Sequence, residues 1–210
     1  MKKTFAVALT AMALASPTLS FAQFGNMLGN LTGNKSSGGN AGADMGAQQD
    51  QLVRTYMAAG KDIQTANGHM AAALGINAQA VDAAATSDSL SAKDIEAQDK
   101  AISANAAAQS EALKSGATLK DAEAKTRYAQ GLLSLATGVK KYMDLGKDAQ
   151  GFSSGLSSVS PMQLGKLESG AYIVKNLPGS VSNLTSVLRR AIDFAKNNGV
   201  DIPREATSLL

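Results

Sequence analysis

A single histidine, His69, and no cysteine stand in a chain of 210 residues, which narrows the chemistry at once. One His without Cys cannot supply a typical zinc site, and disulfides and thiolate nucleophiles are excluded with it. A Ser-His-Asp arrangement would have to use His69, yet no G-x-S-x-G turn accompanies it. His69 instead sits beside Met70, near the end of a predicted helix, where an imidazolium suits the C-terminal dipole. Paired acids occur as Asp94, Glu96 and Asp99, and as Asp121 and Glu123. Glycoside hydrolysis needs two such carboxyls facing across a sugar in a cleft usually rich in rings. Here aromatic residues make up 4% and Trp is absent, so the acids read as dipole partners in the opening turns of helices. Neither a calcium loop nor a phosphate-binding G-x-x-x-x-G-K-[ST] is present, and the Gly-rich stretch follows no strand. The expectation is no catalytic, metal or cofactor residue; a hydrolase without His or Cys chemistry is the remaining enzymatic alternative.

Two other groups of residues point to contact rather than reaction. Lys140-Lys141, beside Tyr142, and Arg189-Arg190, with Lys196 further along, form basic clusters that Lys175 could join. They suit phosphate headgroups or an acidic protein, or else the wet faces of their helices. Near the N-terminus, Gly25, Gly29 and Gly33 recur every four residues with Phe24, Met27, Leu28 and Leu31 between them. Small residues at that spacing permit close approach, but the stretch is too short to span a bilayer. The candidate contacts for a partner or lipid are therefore Phe24, Met27, Leu28, Leu31, Lys140, Lys141, Arg189 and Arg190.

The start of the chain reads as an address. Lys2-Lys3, the apolar run Phe5 to Leu14, and Ser20-Phe21-Ala22 before Gln23 are the three parts of a secretory signal peptide. The expectation is a leader over 1–22 that is cleaved, leaving a periplasmic or secreted protein. Its removal changes the charge from +3 to +1, because two lysines leave and no acid does. The pI of about 9.1 then no longer argues for nucleic acid. An asymmetry persists: 5 basic and 9 acidic residues lie over 23–111, against 13 and 8 over 112–210. Residues 23–47 are dense in Gly, Asn and Ser and read as a flexible arm.

Beyond the arm, helical periodicity is continuous and no long apolar–polar alternation occurs. A first helix over 47–74 carries Leu52, Tyr56, Ala59, Ile63, Ala66, Met70 and Ala73 at spacings of 4 and 3, the seam of a packed helix. Gly75 stops it. A short helix over 77–85 follows, capped by Asn77. Ser91 and Asp94 resemble a capping box opening a third, whose stripe is Ile95, Gln98, Ile102, Ala106, Gln109 and Leu113. Large apolar groups are scarce in that stripe, so it either packs very closely or is the least stable element. Thr118 is the expected cap of the next helix, to about Ala149; Gly131, Gly138 and Gly146 inside it imply close contacts or bends. Residues 151–160 read as a loop, and Ser160-Pro161 as the start of a helix ending near Asn176. Pro178-Gly179 should break the chain before a last long helix with Val181, Leu184, Leu188, Ile192 and Ala195 on one face, ended by Gly199.

The predicted fold is thus all-α: a single antiparallel bundle of five to seven helices over 48–210, preceded by a flexible Gly/Asn/Ser-rich segment. The make-up resembles that of small exported helical proteins of Gram-negative bacteria, with no motif to carry over. The expected function is non-enzymatic binding or assembly in the cell envelope, with an envelope protein as partner and no nucleic acid. The alternative is an amphipathic lipid carrier whose Ala-rich helices open on an anionic surface. The seam of the first helix serves equally within one chain or between two, so self-association stays open.

Overall fold

The computed structural model describes residues 41–76 and 91–210, with the backbone alone for 41–43. Among the described residues the fold is all-helical, and no strand occurs. Four long helices carry it: α1 (Ala41–Leu74), α2 (Ala92–Lys114), α3 (Ala122–Leu156) and α5 (Glu168–Asn197). Two single-turn helices, α4 (Pro161–Leu164) and α6 (Arg204–Thr207), complete it, with a 3₁₀ turn at Gly165–Leu167. None is long and apolar enough to cross a membrane.

The seam of α1 is buried along its whole length, from Leu52 through Tyr56, Ala59, Ile63, Ala66 and Met70 to Ala73. Glycines on α3 let α3 lie close against it. A Cβ on Gly131 would stand 2.7 Å from Met70 Cγ, and one on Gly138 would stand 2.4 Å from Ile63 Cδ1. Gly155 meets Met45 in the same way, with 2.5 Å to its sulfur. As α3 residue numbers rise, their α1 partners fall, so the two helices are antiparallel. Gly146 has nothing within 4 Å and takes no part in this contact.

The pairs among α1, α2 and α5 are parallel, unlike the expected antiparallel neighbours. Tyr56 reaches Asp99, and Gln109 reaches Asn67, so α1 and α2 ascend together in parallel. Helix α5 joins them in that direction: Gln49 bonds to Gly170, and Tyr56 lies against Ser180. Three helices therefore run one way and α3 alone runs the other, so α3 meets both α1 and α5 antiparallel, in the two most extensive helix pairs, while α1, α2 and α5 are parallel to one another. The physical reason is that α2 buries its stripe against α1 in register with that helix. Ile76 and Ser91 thus lie at opposite ends of the described helices. The expected helix over 77–85 lies outside the described residues, as does the arm up to residue 40.

Local signals explain most boundaries. Gly75 adopts φ 69°, and Ile76 N–H donates to Ala71 at 2.9 Å, closing α1. Ser91 and Asp94 form a reciprocal capping box. Gly199, at φ 62°, turns the chain so that Val200 N–H donates to Ala195 at 3.0 Å.

Five boundaries depart from expectation. Helix α1 begins at Ala41, because Met45 packs into the groove over Gly155. Asp121, not Thr118, caps α3, accepting from Ala124 N–H at 2.8 Å. Helix α3 runs on to Leu156 through part of the expected loop, since Phe152 is buried against Gly170. Pro161 opens only one helical turn. Most notably, Pro178 lies inside an unbroken α5. An interior Pro costs about 3 kcal/mol in a helix. Here its ring is exposed, while Ile173, Leu177, Leu184 and Leu188 bury both halves of α5 on one stripe and outweigh that cost.

Candidate functional site

The weak stripe of α2 determines where the molecule is open. Ile95, Gln98, Ile102, Asn105 and Gln109 are its buried residues; Asn105 replaces the expected Ala106, and Leu113 is only half-buried. Gln98 lies over Gly60 and donates to the Met57 carbonyl at 3.3 Å. Gln109 Nε2 donates to Asn67 Oδ1 at 3.0 Å. Polar side chains thus do much of the work of fixing α2 on α1. Toward α5, α2 presents Ser103, Ala106, Ala107 and Ser110, which are too small to fill the space between the two helices.

The result is a groove made of two adjoining depressions. The first holds about 350 Å³ and is lined by Asp99, Ile102, Ser103, Tyr142, Ser180, Asn183 and Arg190, among others. The second, about 300 Å³, is lined by Leu113, Lys114, Tyr128, Val187, Phe194 and Asn197 with their neighbours. Ala106, Ser110, Val187 and Arg190 border both.

At one end of the groove three helices meet on a carboxylate. The Tyr56 hydroxyl lies 3.0 Å from each oxygen of Asp99, and the Tyr172 hydroxyl donates to Oδ2 at 3.1 Å. Ser180 Oγ lies 3.4 Å from the Tyr56 hydroxyl. Tyr142 packs edge-on against Tyr56, with ring centroids 4.7 Å apart. Burial raises the Asp99 carboxyl above its ordinary value, and the hydrogen bonds from Tyr56 and Tyr172 only partly offset this. Burial raises the Tyr56 hydroxyl as well, with Asp99 adding to the effect. Tyr172 is pushed up to about 12, by burial first and then by the Asp99 charge. The phenols therefore stay neutral donors over the physiological range.

A measurable pH dependence follows. With its folded value raised, Asp99 holds its proton in the native state after the unfolded chain has lost it. Its contribution to stability is fully present below the unfolded value near about 3.9 and is lost as pH rises through the folded value. Asp99→Asn keeps an acceptor for the phenols and cannot ionise. The melting temperature of the native chain relative to Asp99→Asn is expected to fall from pH 3 upward, then level off. A difference that rises with pH over that range would contradict the burial account.

The sequence candidates fare differently. Phe24, Met27, Leu28 and Leu31 lie outside the described residues. Lys140 is exposed and pairs with Asp144 at 2.6 Å. Lys141 is tied to Asp62 of α1 at 2.6 Å. Arg189 and Arg190 are exposed, and Arg190 alone of the four borders the groove. Lys140 and Lys141 border neither depression, so the two basic pairs do not act together on it. His69 is half-buried on α1, and the described residues hold no group of three or more His, Asp or Glu placed to take a metal.

Asp99 was hidden among acids that read as dipole partners. Asp94 does cap α2, and Glu96 pairs outward with Lys100 at 2.7 Å. Asp99, however, lies four residues after Ile95 and flanks the buried stripe. The available signal was the complementary one: a tyrosine on a core seam, such as Tyr56, must find a partner for its hydroxyl. Comparison with models of protein families, with characterised proteins and with solved structures gave no match, and the meaning of the groove rests on its own geometry.

Proposed function

We propose that this chain is an exported, non-enzymatic binding protein of the cell envelope. In this reading a single bundle, carried behind a cleaved leader and a flexible arm, holds a segment of a protein partner between α2 and α5. The observation that carries it is the groove itself. A helix with large side chains would have closed against α5, whereas Ser103, Ala106, Ala107 and Ser110 leave an apolar floor with a polar rim. That combination suits an extended peptide segment, which needs shape and hydrogen-bonding groups together.

The test is site-specific photocrosslinking in envelope extract. A photoreactive residue at Ser110, inside the groove, is expected to capture a discrete partner. The same residue at Lys147, exposed on α3, is not. Equal capture at both positions would overturn the reading.

A second reading has one observation in its favour. The depression lined by Leu113, Tyr128, Val187 and Phe194 is bordered by Lys114 and Arg190, with Asp193 paired to Lys196 at 4.0 Å, an arrangement that also suits an anionic amphiphile. Anionic vesicles at low salt should then alter the protease sensitivity of α2.

A further inference from the structure

We infer that the Asp99 end of the groove receives the free α-ammonium group of a short extended peptide whose carboxylate end reaches Arg190. This goes beyond the binding reading above: it keeps the groove but names as its occupant a free oligopeptide with both termini charged, in place of a segment of a longer chain.

Among the described residues the carboxylate lacks a countercharge. Its contacts are the neutral phenols of Tyr56 and Tyr172, and among the described residues no Lys, Arg or His stands within ion-pair distance of it. Lys100, next in sequence, is turned to Glu96 at 2.7 Å. A half-buried acid with hydrogen-bond donors but no cation, lining an open depression, is incomplete in one specific respect. An incoming ammonium group supplies the positive charge together with three donors.

Arg190 provides the opposite pole. Its Nε donates to the Ser186 carbonyl at 3.3 Å, and it forms no ion pair among the described residues. Ser180, near the Asp99 carboxylate, and the Ser186–Arg190 turn are six to ten residues apart on α5. At 1.5 Å per residue this is roughly 9–15 Å, the length of about three or four extended residues. Ser103 and Asn183 line the interval with groups able to bond a peptide backbone. Charge complementarity selects the ligand: a polyamine would set its second cation against Arg190, and a fatty acid would lay its tail against Asp99.

The pH response distinguishes this site from a purely structural cluster. Asp99 is faced by Tyr56 from α1, Tyr142 from α3 and Tyr172 from α5, with Arg190 in the same groove and Glu96 and Lys100 on its own helix. All three phenols are raised, so near and below neutrality Asp99 is the group facing the ligand that changes charge. Affinity for a free-amine peptide should rise with pH as Asp99 ionises and fall again above about pH 8, where an α-amino group loses its proton.

Titration calorimetry on the purified chain with trialanine tests this. Free trialanine is expected to bind, and N-acetylation is expected to weaken it about tenfold or more, as for loss of a charge-assisted contact. C-terminal amidation should weaken it severalfold, and that difference should disappear in Arg190→Gln. Asp99→Asn should abolish the preference for a free amine while circular dichroism stays unchanged. Equal binding of free and acetylated peptide, no saturable binding of free trialanine, or 1,4-diaminobutane binding as tightly as trialanine would each overturn the inference. If Ser110 still captures a partner in any of those cases, the ligand chemistry falls and the binding reading stands. If trialanine binds as expected while Ser110 captures nothing, the site stands and the protein-partner reading falls.

Discussion

Tyr142→Ala is expected to destabilise the protein by about 3–5 kcal/mol, the range for truncating a fully buried aromatic residue. Tyr142 is 1% exposed, stands edge-on to Tyr56 at an interplanar angle of 89°, and forms part of the wall of the groove. Its removal leaves a cavity at the point where α1, α2, α3 and α5 converge. Because Tyr56 bridges to Asp99, the loss spreads to the clasp on α2. Against a typical total of about 5–15 kcal/mol, the variant should be marginal at 37 °C. Tyr142→Phe retains the ring and should stay within about 1 kcal/mol of the native chain. Urea denaturation of the three proteins measures this. A cost for Tyr142→Ala below about 1 kcal/mol would mean that the convergence is not packed as described.

The second large effect is a contrast between two glycines eight residues apart on α3. Gly138→Ala is expected to cost about 1–3 kcal/mol, the usual penalty for overpacking a core. The new Cβ would meet Ile63 Cδ1 at 2.4 Å and the Ala59 carbonyl oxygen at 3.0 Å. Ile63 is itself 1% exposed and has nowhere to retreat. Gly146→Ala, with open space around it, should instead stabilise the helix by up to about 1 kcal/mol. The two substitutions should therefore shift the melting temperature in opposite directions. Shifts of the same sign would show that propensity, rather than the α1–α3 approach, governs both positions.

Both predictions bear on the proposed binding role, because the groove exists only while α2 keeps its register. Helix α2 contributes few large apolar groups and is placed by Gln98, Gln109 and Asp99. Disturbing Tyr142 removes the support beneath Asp99, whereas disturbing Gly138 separates the α1–α3 pair to which α2 is attached. Loss of ligand affinity without loss of helicity is the expected signature of the first kind of damage.

Residue spacing by itself determined the class of fold, the α1 seam and the closures at Gly75 and Gly199. Periodicity of 3.6 and the demand for positive φ are local properties, written into neighbouring residues. The same kind of reading marked Gly131 and Gly138 as points of close approach, but it could not separate them from Gly146. That distinction depends on what stands opposite, and only the paired helix supplies it. Pro178 shows the same limit from the other side. A local rule ends the helix there, and burial of Ile173, Leu177, Leu184 and Leu188 along one stripe overrides it.

Helix direction and the site belong wholly to the tertiary structure. Nothing within α2 states that it runs parallel to α1, since direction arises from matching Gln98, Asp99 and Gln109 to partners about 42 residues earlier. Asp99 looks like its acidic neighbours until Tyr56 and Tyr172 close on it from two other helices. Its environment is a sum over three segments far apart in the chain, and desolvation, unlike helical periodicity, has no local pattern to read.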